Sequence, residues 1–243
     1  MALETLEILN GIYSIIFIII SLIIGLKILL KYFTSKNKLF IFIGLSWIGI
    51  SEPWWPAGVS FLIAISTGTN GLLNNPKLYF LLGNIFLPIF LFFWMMGFTE
   101  LVYKEKQKVI VGIFMIIEIL FELFFVYFLI TNPNIIGGLE SPVDVDYKGF
   151  TAVHLTFILI VLLITGFLLA KLMLTSEIVE NKLRGKFIAI AFLSFIIGAF
   201  MDAMLVLNFI TLPIARLLLI SCSIEFYIGW IFPNVIKNMF LKK

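Results

Sequence analysis

The chain has 243 residues, 62% hydrophobic and only 13% charged, with a formal net charge of +3, and its mean hydropathy of +1.15 exceeds what one water-soluble core of this size can hide. That balance excludes a soluble enzyme, a nucleic-acid binder and a disordered chain, and a single cysteine, Cys222, excludes a disulfide scaffold. What remains is an all-α, polytopic membrane protein.

A spanning helix needs ~20 mostly apolar residues. The sequence supplies seven such runs, at residues 9–30, 39–65, 78–103, 109–130, 150–174, 187–210 and 212–233. They are too long and continuous for the alternating strands of a barrel. Residues 1–7 are acidic and no small-residue cleavage site follows the first run, so it reads as an uncleaved helix. The connectors are short; the longest, residues 131–149, carries Glu140, Asp144 and Asp146. None is large enough for a soluble domain, so one seven-helix transmembrane domain spans residues 1–243.

Basic residues set the orientation. Lys27, Lys31, Lys36, Lys38, Lys104, Lys106, Lys108, Lys171, Lys182, Arg184, Lys186, Lys237, Lys242 and Lys243 share one side; the other holds only Lys77, Lys148 and Arg216. This predicts an N-terminus outside, a cytoplasmic C-terminus and an odd number of crossings, in a multi-pass protein of the cell membrane.

The second run holds the most informative local feature, Ser51-Glu52-Pro53-Trp54-Trp55-Pro56. Two prolines three apart remove two backbone donors near the middle of the run. Such a break is tolerated where it faces protein or a water-filled cavity, and in transporters broken helices often mark the binding site. The expectation is a kinked helix with Glu52 lining a cavity; the plain alternative is an interfacial end anchored by Trp54 and Trp55. Residues 38–51 and 186–199 also share Lys, Leu, Ser and Ile in register, a weak sign of a parallel 3+1+3 repeat.

Later runs carry further polar groups. Asn84 and Pro88 interrupt the third. Glu118 and Glu122 share one face of the fourth, and His154 opens the fifth. Ser194, Gly198 and Asp202 form a small-residue stripe on the sixth. On the seventh, Ser221, Cys222, Glu225 and Gly229 share a face, whereas Arg216 points the opposite way from Glu225. Ionisable groups at such depth cost at least ~2.5 kcal/mol and mark function by default. Asp202 and Arg216 lie at similar depth and are expected to pair. The remaining acids outnumber the bases and need hydrogen-bond partners such as Asn84, Ser194, Ser221 or Ser223.

The seventh run contains no lysine, so no retinal is expected. The third closes on Glu100-Leu-Val-Tyr, without the arginine of a G-protein-coupled receptor, and one histidine cannot support a three-ligand metal site. No cofactor or metal is expected, and no nucleophile–base pair suggests an enzyme. The reading is a small secondary transporter or channel-like protein, with proton coupling as the use of its acids. Its ligand or proton pathway would be lined by Glu52, Asn84, Glu118, Glu122, Asp202, Arg216 and Glu225, beside the break at Pro53, Trp54, Trp55 and Pro56. The rival is a sensor that binds a small molecule or lipid in the same cavity and signals through a separate cytoplasmic partner; a structural membrane subunit is the bland alternative. Expected partners are the lipid bilayer, a small molecule, ion or lipid, and a second copy or a cytoplasmic protein, but no nucleic acid.

Overall fold

The computed structural model describes residues 3–241; Lys242 and Lys243, counted above on the basic side, lie outside them. Helix α1 (Thr5–Ser35) is opened by a reciprocal cap between Glu4 and Glu7, and closed at Lys36, which takes a left-handed conformation (φ 54°). The second apolar run becomes two helices, α2 (Leu39–Ile50) and α3 (Trp55–Thr67), joined by a 3-10 turn over Glu52–Trp54. Pro53 and Pro56 sit in the first turns of the 3-10 and α3 segments, where a missing N–H costs nothing. The third run is likewise two helices, α4 (Pro76–Asn84) and α5 (Leu87–Val102), with Pro88 just inside the second. Helices α6 (Gln107–Thr131), α7 (Gly149–Leu174), α8 (Val179–Met204) and α9 (Thr211–Ile231) follow, and a short α10 (Asn234–Leu241) ends the described chain.

Among the described residues, six helical stretches are long and apolar enough to cross a membrane: α1, α4 with α5, α6, α7, α8 and α9. At 12 and 13 residues, α2 and α3 each fall short. The chain is therefore a helical membrane protein.

One element was not expected. Within the longest connector, strands β1 (Gly137–Ser141) and β2 (Asp144–Tyr147) form an antiparallel hairpin, pairing Gly137 with Tyr147 and Leu139 with Val145. Residues 143–147, Val-Asp-Val-Asp-Tyr, do alternate apolar and polar, the period of a half-buried strand.

Close helix contact depends on small residues. A Cβ on Gly25 of α1 would lie 2.8 Å from the carbonyl oxygen of Gly44 of α2, and one on Gly44 would lie 2.7 Å from that of Gly25. Gly198, in the predicted stripe, packs against the backbone of Ala215 in α9. Within the main core, aromatic pairs link helices: Trp47 stacks on Phe226 at 3.7 Å, Trp54 meets Phe17 edge-on, and Trp94 packs on Phe192.

The two ends of the bundle differ. At one end the hairpin, Asn10, Tyr79, Asp202 and Arg216 lie together. At the other meet the start of α2, the ends of α5, α7 and α9, and the start of α8. Of the predicted basic residues, Arg184 lines this second end, and Lys38, Lys171 and Lys182 adjoin residues that do. Across it Lys237 of α10 pairs with Glu180 of α8 at 2.7 Å.

Candidate functional site: an aromatic cavity with a buried arginine

A cavity of about 150 Å³ lies beneath the hairpin. Its walls come from α2 (Trp47), the 3-10 turn (Trp54), α5 (Phe90, Trp94), α7 (Ile158, Leu162) and α8 (Phe192, Phe195). The 3-10 turn at the proline break carries Trp54, whose side chain lines this wall. Its polar end is formed by Asp202, Arg216, Tyr79 and, from the hairpin, Asp144 and Tyr147.

Five segments are tied together at this end: α1, the 3-10 turn, the hairpin, α8 and α9. Arg216 Nη2 donates to Asn10 Oδ1 (2.7 Å) and stands 3.1 Å from Asp202 Oδ1, an ionic contact without hydrogen-bond alignment. Trp54 Nε1 donates to Asp202 Oδ2 (2.8 Å), and the guanidinium lies over the Trp54 ring at 5.9 Å. Asn10 Nδ2 donates to the carbonyl of Val143, fastening the hairpin (3.2 Å). Arg216 is only 2% exposed, yet its Nε and Nη1 meet no acceptor among the described residues. The same holds for the indole N–H of Trp47, on the cavity wall. Buried donors of this kind cost free energy unless something fills their need.

Asp144 is the acid that the hairpin adds. Burial pushes its carboxyl above the ordinary aspartate value; the N–H of Val145, donated at 2.9 Å, pulls the other way, Asp202 raises it further and Arg216 opposes that. Burial also raises the Tyr147 phenol, against the opposing hydrogen bond from Asn84.

Of the residues singled out in the sequence, Asp202, Arg216, Trp54 and Pro53 meet at this cavity. The expected pairing of Asp202 with Arg216 is present. Trp55 turns elsewhere, donating its N–H to Ser51 Oγ (2.9 Å), and Pro56 packs near Gly83.

Glu52 is fully buried but does not line the cavity. Its Oε1 accepts the backbone N–H of Phe86 (2.8 Å), the donor freed where α4 gives way to α5. The Glu52 carboxyl group at one helix break thus caps the other break, satisfying a donor the interrupted ladder leaves open. Asn84, at the end of α4, donates to Tyr147 Oη (3.1 Å) and so ties this second break to the hairpin.

Glu118 is buried and pairs with His154 Nε2 at 2.9 Å, joining α6 to α7, while the imidazole stacks on Phe121. Glu122 lies one turn on, and Glu225 sits on α9; neither lines the cavity. Oε2 of Glu52, Glu122 and Glu225 has no partner among the described residues. The predicted acids therefore fall into separate places rather than one file.

Sequence reasoning missed Asn10, Trp47, Trp94, Asp144 and Tyr147. The alternation at residues 143–147 was a usable signal for the last two. Comparison with family models, with curated proteins and with solved structures gives no match.

Proposed function

We propose that this protein is a membrane receptor for a small, largely apolar molecule that carries one hydrogen-bond-accepting group, held in the cavity beneath the hairpin. The observation that carries this reading is Arg216, buried at the polar end of an aromatic cavity with two nitrogens, Nε and Nη1, unanswered among the described residues. A ligand carboxylate or carbonyl would satisfy them, and the walls would take an apolar body about the size of one aromatic ring. The function is binding rather than catalysis. The chain crosses the cell membrane seven times, with the hairpin outside and the C-terminus cytoplasmic. Supporting the seventh crossing, α2 starts at the basic end, at Leu39 and Phe40, while Leu72, beyond α3, packs with Ile136 and Tyr79 near the hairpin. The positive-charge asymmetry supports the orientation. A receptor of this kind passes its signal to a separate cytoplasmic protein.

A second reading, secondary transport, draws support from the two interlocked breaks, since pairs of discontinuous helices are a feature of transporters. It stands second because Glu52, Glu118, Glu122 and Glu225 do not line the cavity. Thermal unfolding in lipid nanodiscs with benzoate, acetophenone and benzylamine tests the first reading. The two acceptor-bearing probes should stabilise the protein in a saturable way and benzylamine should not. Equal effects of all three, or none, would contradict it. Uptake of a stabilising probe into protein-containing liposomes would favour transport.

A further inference from the structure

A second, separate recess opens at the basic end of the bundle. It measures about 540 Å³ and lies between the start of α2, the ends of α5, α7 and α9, and the start of α8. Leu39, Leu101, Leu172 and Met173 give it an aliphatic lining. Trp230 and Arg184 line it too. Trp230 is only 8% exposed, and its indole N–H finds no acceptor among the described residues; the Nε of Arg184 is likewise unanswered. Both unanswered groups are donors, so the missing partner must bring acceptors.

The charge around the recess gives that partner its sign. Glu180 is already held by Arg184 (2.9 Å) and Lys237 (2.7 Å), and Glu100 by Lys104. In sequence, Lys38, Lys171 and Lys182 each adjoin a residue that lines the recess, as does Glu177. An anion with an apolar body fits these requirements together: the anion on the donors, the body along the aliphatic lining. Bilayer lipid is at hand for a membrane-embedded chain, and the helix ends that form the recess lie where headgroups do.

We propose that this recess binds one anionic phospholipid, with its phosphate on Trp230 Nε1 and Arg184 and an acyl chain along Leu39, Leu101, Leu172 and Met173. This site is independent of the aromatic cavity and of what that cavity binds. Its occupant would brace α7, α8 and α9 at the end where α10 is tied down by Lys237 and Glu180.

Native mass spectrometry of delipidated full-length protein, exchanged into micelles doped with dioleoyl phosphatidylglycerol or dioleoyl phosphatidylcholine, tests the proposal. One phosphatidylglycerol should be retained in preference to phosphatidylcholine. Trp230→Phe removes the N–H and keeps the ring, and should weaken retention about tenfold. Arg184→Lys keeps the charge but removes the Nε–H, so it should weaken retention as well. Millimolar inorganic phosphate should fail to displace the lipid, because it lacks the apolar body. Equal retention of both lipids, retention unchanged in folded Trp230→Phe, or displacement by phosphate alone would each overturn the assignment.

Discussion

The polar end of the aromatic cavity and the α6–α7 seam both bury charge-bearing side chains, yet they are built differently. At the cavity, one acid and one base are joined through an amide and an indole drawn from α1, the 3-10 turn, α8 and α9. At the seam, Glu118 and His154 hold only each other, and each keeps one atom without a partner. The first arrangement fixes four segments and leaves spare donors on a side chain that lines a cavity. The second fixes two helices and presents nothing to a cavity. Acidic residues inside an apolar span therefore do not share one role, and the partner of each decides what it does.

The sharpest break in this comparison is expected at Arg216. Arg216→Ala leaves Asp202 with the Trp54 N–H alone and frees Asn10, so it should destabilise by ~3–5 kcal/mol, as breaking buried pairs does elsewhere. Unfolding by SDS titration in mixed micelles measures this. Arg216→Met with Asp202→Leu should recover part of the loss; strictly additive effects would show that the two do not act as a pair.

Next comes Glu52. Glu52→Ala exposes the Phe86 N–H without an acceptor and should cost ~1–3 kcal/mol, whereas Glu52→Gln keeps a carbonyl for it and should cost less. Equal losses in the same unfolding assay would remove the capping role. Tyr147→Phe should have a smaller effect, ~1 kcal/mol or below, because it deletes one hydrogen bond between hairpin and α4. It should be seen first as faster amide exchange across residues 137–147, with α8 and α9 unaffected.

How much of this was legible in the sequence depends on the range of the interaction. Hydrophobic runs mark spans because the bilayer acts on each segment independently, and Pro53 and Pro56 mark a break because proline acts on its own backbone. Asp202 and Arg216 could be matched by counting depth along helices. Glu52 could not be assigned as a cap, because its partner lies 34 residues away at a second break. The pairing of Glu118 with His154, 36 residues on, likewise depends on which helices lie side by side. The hairpin carried a local signal, but its docking through Asn10 joins positions 133 residues apart.

The smallest effect concerns pH. Burial raises the Asp144 carboxyl in the folded protein, so the fold binds its proton more tightly than the unfolded chain. The contribution is fully present below the ordinary aspartate value and is lost as pH rises through the raised one. Across the mildly acidic range the hairpin's protection from amide exchange, taken relative to the intrinsic rate at each pH, should fall as pH increases, and Asp144→Asn should flatten that dependence. A hairpin that tightens with rising pH would reverse the sign and contradict the burial account.

The central claim is that Arg216 awaits an acceptor inside the aromatic cavity. The chain has only two arginines, Arg184 and Arg216, so selective ¹⁵N-arginine labelling yields two Nε–H resonances, assigned with Arg184→Lys. Titrating benzoate into labelled protein in nanodiscs should shift the Arg216 Nε–H signal in a saturable way and leave that of Arg184 in place. If Arg216 stays fixed while benzoate is present in large excess, the cavity does not read an acceptor through this side chain and the receptor proposal loses its basis.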